Sequence, residues 1–213
     1  MSCQTALREW LKEYSQSYQS ELNELPRHYS AGEQSRAQLV EDEAEPVQWR
    51  FSDRDELGRF ANIEQALSLS LHSDIEQFYG SVWAGPLHFD SRWGVGELIQ
   101  VWNEDDFLRL QQNIIGHLMM KRKLKQRPTW FIGLLAAGED MICVDNQDGS
   151  VWREKPGDEP SEKLADSIAD LLQSVTPRVT SAVEYDWPDE QLTDHPGIIT
   201  SLKRMWRNLF PQK

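Results

Sequence analysis

The chain has 213 residues and a net charge of −13 at neutral pH, because 35 aspartate and glutamate residues outnumber 22 lysine and arginine residues. A negative field of this size repels the phosphates of nucleic acids and anionic lipids and attracts polycations, so nucleic-acid binding is the first class of function to be excluded. The length suits one domain with a full hydrophobic core, to which nine tryptophan residues supply large apolar side chains.

The N-terminal third predicts three helices and one long loop. Apolar residues at helical spacing from Leu7 onward indicate a first helix, which Pro26 ends. Residues 27–45 show little periodicity and finish in an acidic run, so they are predicted to form a solvated loop. Asn62 is expected to cap a second helix, and Ser73 begins a capping box that starts a third.

Two extended runs and a long helix are predicted in the middle of the chain. The runs are residues 82–89 and 97–102, separated by a turn with two glycines. Pro86 cannot donate a ladder hydrogen bond, which favours an edge or a bulge for the first run. Asn103 is placed to cap the long helix, which ends before Pro128 in a basic run, residues 121–127, that is interpreted as complementing the helix dipole.

The remaining pattern predicts strands at residues 129–136, 141–145 and 150–154, joined by turns that favour an antiparallel meander. Ser161 is expected to cap a further helix that ends before Pro177. We therefore predict an α/β fold of the α+β type, in which helices flank a central, mostly antiparallel sheet. A single acidic domain is expected over residues 1–177, followed by a linker and a basic amphipathic C-terminal helix over residues 178–213.

The predicted C-terminal helix combines an apolar stripe with basic residues, and no acidic residue falls between His195 and Lys213. Such a helix is typical of a membrane-surface element. The alternatives are that its apolar face docks on the core or closes a dimer. The candidate membrane-surface residues are Lys203, Arg204, Trp206, Arg207 and Phe210.

Acidic residues form the main candidate for a binding surface. If the fold brings them together, they make one negative face for a basic partner; the alternative is a merely solvated surface. The acidic residues in the first turn of the long helix also interact favourably with the helix dipole. The candidates are Glu41, Asp42, Glu43 and Glu45 in the loop, Asp90 and Glu97 near the strands, and Glu104, Asp105 and Asp106 at the helix start.

No catalytic or metal-binding motif is readable. The chain contains no phosphate loop, no nucleophile elbow, no HExxH zinc motif and no CxxC pair, so we predict no catalytic residue, no metal and no cofactor. His117 is expected to be a buried structural histidine. Asp105 and Asp106 leave open a hydrolase that uses two carboxylates, provided that they face a pocket.

The expected compartment follows from the cysteines and from the lack of long apolar runs. Cys3 and Cys143 do not indicate a disulfide framework, so both are interpreted as reduced thiols. No signal peptide is visible and no apolar run approaches the roughly 18 residues that span a bilayer. A cytoplasmic protein with at most peripheral membrane contact is expected.

Several segments together resemble the SecY-interacting protein Syd family. The resemblance is carried by residues 102–107 (WNEDDF), 112–118 (QNIIGHL) and 128–132 (PTWFI), and more weakly by Phe78, Tyr79, Ala84, Gly85 and His88. It covers roughly residues 60–177. The linker and final helix are expected to extend beyond the usual family length, and the loop at residues 27–45 departs from the family pattern.

The resemblance implies a non-enzymatic protein that is held loosely on the cytoplasmic side of the inner membrane through SecY, the channel subunit of the translocase. It further implies a preference for SecY that lacks its proper partners, and hence quality control or negative regulation of protein translocation. Cytoplasmic loops of membrane proteins are rich in Lys and Arg, which an acidic face complements. The alternative is an immunity-type protein that neutralises a basic toxin such as a nuclease.

Overall fold

A computed structural model describes residues 1–41, 43–135 and 140–182. The helices are α1 (Cys3–Leu22), α2 (Ala61–Leu67), α3 (Ser73–Gly80), α4 (Glu104–Leu124) and α5 (Ile168–Ser174). The strands are β1 (Arg27–His28), β2 (Val47–Gln48), β3 (Ser52–Asp53), β4 (Val82–Trp83), β5 (Leu87–Ser91), β6 (Gly94–Leu98), β7 (Thr129–Leu135), β8 (Asp140–Asp145), β9 (Val151–Glu154), β10 (Glu162–Ala165) and β11 (Thr176–Pro177).

Seven strands form the central sheet in the order β10-β9-β8-β7-β6-β5-β11, and every neighbouring pair is antiparallel. Strands β5 to β10 follow chain order, as a meander does, whereas β11 returns to pair outside β5. Four consecutive residues of β8, from Met141 to Val144, are buried. Because successive side chains of a strand point to opposite faces, both faces of the sheet are covered there. The predicted α+β fold is confirmed.

Helix α4 packs against β7, whereas α1 packs against α3, α5 and β11. The beginning of α4 is fixed as predicted, because the Asn103 side chain accepts a hydrogen bond from the backbone N–H of Asp106 at 2.9 Å. Acidic residues fill its first turn and basic residues its last turn, which complements the helix dipole. Lys125 ends the helix in a left-handed conformation, with φ of 58°.

Three predicted helix caps are wrong. Ser73 does not cap α3, because the His72 side chain accepts from the N–H of Asp74 at 3.3 Å and takes that position. The helix expected at Asn62 begins at Ala61, and the Asn62 side chain instead donates to the Gln111 side chain of α4 at 2.7 Å. The segment expected to be helical after Ser161 begins as β10, which pairs with β9. The helix starts later in the chain, where the Ser167 side chain accepts from the N–H of Asp170 at 3.1 Å.

The run at residues 82–89 divides where Pro86 interrupts it. Its first part, β4, pairs with β3 in a separate two-stranded sheet, whereas its second part, β5, joins the central sheet. No helix in the described ranges is both long and apolar enough to cross a membrane. The helix predicted near the C-terminus, with its candidate membrane-surface residues, lies outside the described residues.

Candidate partner-binding groove

A groove of about 890 Å³ opens beside the beginning of α4. The loop at residues 34–41 and the segment at residues 54–56 line it, together with Trp83 of β4 and the Asn103–Glu104 start of the helix. The groove therefore lies where segments meet that are far apart in the sequence. We refer to it below as the acidic groove.

Arg54 links the acidic groove to the core. Its guanidinium lies 3.8 Å from the ring centroid of Trp83 and 4.5 Å from that of Phe107, and it donates to a Glu104 carboxylate oxygen at 3.0 Å. Only 10% of the Arg54 side chain is exposed. Burial lowers the pKa of Arg54, against the opposing effect of Glu104. The buried cation thus fixes Glu104 at the rim of the groove.

The acidic groove keeps a surplus of negative charge. Its lining carries four carboxylates, those of Glu41, Asp55, Glu56 and Glu104, against two guanidinium groups. Arg36 pairs with Asp55 at 2.6 Å, but both side chains are mostly exposed, so this pair is weak. Within the part of the chain that the structure describes, Glu41 and Glu56 form no ion pair. Both side chains are exposed.

The Trp102-Asn103 dipeptide holds the groove-lining loop in place. Trp102 accepts a hydrogen bond from the Ser35 hydroxyl through its carbonyl, and its indole N–H donates to the Glu33 carbonyl at 2.8 Å. The Asn103 side chain donates to the Gln34 carbonyl at 3.0 Å. The loop is therefore fixed against the beginning of α4, and it forms a wall of the acidic groove rather than a freely solvated connection.

Of the acidic loop residues predicted to bind a partner, Glu41 lines the acidic groove, and two others stabilise the loop itself. Glu43 pairs with Arg27 at 3.2 Å and accepts from a backbone N–H. Glu45 accepts from the Ser30 hydroxyl at 2.6 Å and from backbone N–H groups. Burial raises the pKa of Glu45, but these hydrogen bonds outweigh it and leave the pKa below its usual value. Asp42 lies outside the described residues.

The carboxylates at the start of α4 have three different environments. Glu104 lines the acidic groove, whereas Asp105 is exposed. Asp106 turns back to accept from the backbone N–H of Trp102 at 2.8 Å and lies 3.5 Å from Arg109. Burial raises its pKa. Neither Asp105 nor Asp106 lines the groove, so the groove does not support a hydrolase that uses these two carboxylates.

Asp90 and Glu97 lie on the β5–β6 hairpin and do not line the acidic groove. Asp90 pairs with Arg178 at 2.8 Å. Glu97 faces His88 across the strand pair, with 3.7 Å between the carboxylate oxygen and Nδ1. Burial, and secondarily the charge of Arg178, lower the pKa of His88. The predicted acids in the described residues thus occupy four places: the groove (Glu41 and Glu104), the loop itself (Glu43 and Glu45), the start of α4 outside the groove (Asp105 and Asp106) and the hairpin (Asp90 and Glu97).

Sequence reasoning missed the groove residues Arg36, Arg54, Asp55, Glu56 and Trp83. The segment at residues 53–56 mixes acidic residues with Arg54, so it formed no charge run. Trp83 stood in an ordinary apolar strand pattern. No signal in the sequence separates these residues from other surface positions, because their convergence depends on long-range packing.

Comparison with known proteins identifies the family. A family model described as Syd protein (SUKH-2) matches residues 4–177. Protein Syd of Shewanella sp. (strain MR-7) is 52% identical over 216 residues and covers 100% of both chains. Protein Syd of Shewanella putrefaciens (strain CN-32 / ATCC BAA-453) is 51% identical over 213 residues, with 99% of each chain covered. This chain belongs to the Syd family.

The family similarity extends further than the sequence patterns suggested. The expectation that it begins near residue 60 is wrong, because the Syd family model already matches from residue 4. The Syd family model ends at residue 177, where the linker was expected to begin, whereas the match to these two relatives runs over essentially the whole chain. The groove-lining loop lies inside the matched region.

This Syd family member also contains a buried polar cluster, which sequence reasoning missed. Lys121 was interpreted as part of the basic end of α4, but its ammonium group lies 2.7 Å from the Glu154 carboxylate, and the two side chains are 1% and 0% exposed. Lys121 also donates to the Asp158 carbonyl at 2.9 Å, and the Thr129 hydroxyl donates to Glu154 at 2.8 Å. Only the tertiary packing reveals this ion pair.

Three residues of the cluster have the chemistry of metal ligands. Potential ligand atoms of His117, Cys143 and Glu154 lie within 4.8 Å of one another. However, the Lys121 ammonium group already neutralises Glu154, so a metal ion would compete with it for the same carboxylate. The arrangement supports a structural role, as the sequence predicted for His117, whose pKa is lowered to about 3 by burial and secondarily by Lys121.

We expect the protein to lose stability as pH falls below about 6.5. Burial lowers the pKa of His117 to about 3 and that of His28 to about 4, against about 6.5 in the unfolded chain. Between these values the unfolded state binds more protons, so the free energy of unfolding rises with pH and is lost as pH falls. Each histidine contributes a slope of up to ~1.4 kcal/mol per pH unit.

Urea unfolding at pH 7.5, 6.0 and 5.0 measures this slope, with His117→Asn as the test variant. The variant should show a shallower decline of the free energy of unfolding, whatever its stability at pH 7.5. His88→Asn on β5 should also flatten the decline, because burial lowers the pKa of that histidine as well. Identical slopes for the parent protein and His117→Asn would contradict the assignment.

Proposed function

We propose that this protein binds basic cytoplasmic loops of SecY, the translocase channel, and acts in quality control or negative regulation of protein translocation. In this role it catalyses no reaction, and it is held loosely at the cytoplasmic side of the inner membrane. Membership of the Syd family supports the choice of partner. The observation that carries the proposed binding mode is the pair of carboxylates, Glu41 and Glu56, left without ion pairs in the described part of the acidic groove.

The groove's chemistry suits a lysine- or arginine-rich loop. Leu39 and Trp83 add apolar surface beside the carboxylates. Long basic side chains pack their aliphatic stems on such surface while their charged ends reach carboxylates. Cytoplasmic loops of membrane proteins are enriched in these residues. Because exposed charge pairs contribute only ~0–1 kcal/mol each, the complex should be loose and sensitive to salt.

The other predicted acids have supporting roles in this proposal. Asp105 and the hairpin residues Asp90 and Glu97 add to the long-range field that attracts a basic loop. Glu43 and Glu45 act indirectly, because they hold the loop that carries Glu41. Direct contact with the partner is assigned to the acidic groove alone.

The test reverses the two unpaired charges. The variant Glu41→Lys/Glu56→Lys should bind purified SecY about tenfold more weakly at low salt, since each reversal replaces a favourable contact by a repulsive one. A matched control, Glu9→Lys/Glu13→Lys, makes the same change in net charge on the exposed face of α1. Affinities are measured by titration of detergent-solubilised SecY at two salt concentrations.

The control separates groove binding from bulk attraction. We expect less than about a threefold loss of affinity in Glu9→Lys/Glu13→Lys. Equal losses in both variants would mean that the groove is not the contact surface. If purified SecY does not bind at all, whereas a purified basic nuclease binds through Glu41 and Glu56, the immunity-type alternative is favoured instead.

A further inference from the structure

We propose that the basic C-terminal segment of this chain, residues 196–213, binds the acidic groove of its own molecule and competes there with the partner. This inference rests on the proposed function, because it assigns an internal competitor to the same groove. Binding of a basic partner would then be autoinhibited, and only a partner with enough positive charge displaces the segment.

Charge complementarity is the first argument. Residues 196–213 contain Lys203, Arg204, Arg207 and Lys213 and no acidic residue, within a chain whose net charge is −13. Apolar residues are interspersed with these bases, Leu202 and Trp206 among them. The segment therefore offers the same combination of positive charge and apolar surface that the groove suits in an external partner.

The point where the described chain ends is the second argument. Thr180 exchanges two hydrogen bonds with the Tyr18 hydroxyl, at 2.9 and 3.1 Å. The Tyr18 ring lies 5.1 Å from that of Tyr14, which stacks at 5.9 Å on Trp49. Trp49 forms a β-bridge with Gln38, a residue that lines the acidic groove. A short series of direct contacts thus connects the base of the segment to the groove.

The length of the intervening chain is the third argument. The roughly 21 residue steps from Ala182 to Lys203 span at most ~70 Å when extended. A folded domain of this size has a radius of gyration of about 16 Å. The segment can therefore reach the groove without any change in the domain. Because the two are joined in one chain, their effective concentration is about millimolar, so even weak intrinsic affinity produces competition.

The first test measures relief of competition in the full-length chain. The variant Lys203→Glu/Arg204→Glu/Arg207→Glu should bind a synthetic lysine-rich peptide about fivefold more tightly than the parent. The control Lys12→Glu/Lys123→Glu/Lys155→Glu makes the same charge change at exposed positions outside the groove. An equal gain in both variants would attribute the effect to net charge and overturn the proposal.

The second test locates the segment without any partner. A zero-length carbodiimide cross-linker should join the Lys203 amine to Glu41 or Glu56, as detected by mass spectrometry of the digested protein. Mixing isotope-labelled and unlabelled chains distinguishes links within a chain from links between two copies. Links found only between copies overturn the proposal in favour of a dimer. No groove link, together with binding to vesicles that contain anionic phospholipid, overturns it in favour of a membrane contact.

The outcomes of these two tests distinguish failure of the autoinhibitory contact from failure of the proposed function. If the lysine-rich peptide binds no variant, while Lys203 still cross-links to the groove within one chain, the internal contact stands and the partner assignment fails. If the peptide binds through Glu41 and Glu56 but no link forms and the tail variant gains no affinity over its control, the groove function stands and the autoinhibitory contact fails.

Discussion

Replacing Lys121 with methionine should lower the free energy of unfolding by about 3–5 kcal/mol, because it leaves the Glu154 carboxylate buried without its cation. Methionine is close to the lysine stem in length, so the effect isolates the charge. Chemical denaturation at pH 7 measures it. The matched control is Lys123→Met on the same helix, which is exposed and should change stability by less than about 0.5 kcal/mol.

A double substitution distinguishes the missing charge from damaged packing. Lys121→Met/Glu154→Leu removes both ions, so it should be less destabilised than Lys121→Met alone even though the Thr129 hydroxyl loses its acceptor. If the double variant is as unstable as the sum of the two single variants, the ion pair is not the source of the effect. Equal stability of Lys121→Met and Lys123→Met would contradict the burial of this pair.

Substituting alanine for Gly80 should cost about 3 kcal/mol, because no room exists for a methyl group there. A Cβ at this position would collide with the Gly58 carbonyl oxygen and lie 3.0 Å from the Gly58 nitrogen, which itself donates to the Gly80 carbonyl at 2.8 Å. The atoms in the way are backbone atoms and cannot move aside cheaply. Thermal and urea unfolding measure the loss.

Gly157→Ala provides the comparison for Gly80→Ala. Gly157 has φ of 87° with open space around it, so its substitution carries backbone strain without a clash and should cost about 1 kcal/mol. A smaller loss at Gly80 than at Gly157 would contradict the close approach of the two segments. Since Gly58 follows groove residues 54–56, Gly80→Ala should also weaken binding of a basic partner.

The parts of the fold that were predicted depend on neighbours in the sequence. Helix α4 followed from its apolar spacing and from Asn103, whose cap contact spans only three residues. The meander followed from short turns between apolar runs. Ser161 and Ser167 could each cap a helix. The segment between them forms β10 and pairs with β9, where Arg153 also pairs with Glu162 at 3.0 Å, so the helix begins only after Ser167. Sequence periodicity does not contain that contact.

The candidate site was predicted only in part, for the same reason. Glu41 and Glu104 stood in visible acidic runs, but Glu56 did not. They share a groove because Trp102 and Asn103 hold a loop that lies about 70 positions earlier in the chain. For Lys121 the sequence pattern was misleading. Its place in the basic last turn of α4 predicts an exposed side chain that interacts favourably with the helix dipole, but the side chain is buried.

The position of Arg54 has a consequence for how selective the site is. This guanidinium, held against two aromatic rings, already donates to Glu104, so an incoming lysine has to compete with it for that carboxylate. The groove then offers a basic partner two unpaired carboxylates, Glu41 and Glu56, which lie on separate segments of the chain. Beyond the long-range attraction that every base adds, the site would then discriminate by the distance between two cations of the partner, because bases crowded at one point make no further direct contact in the groove.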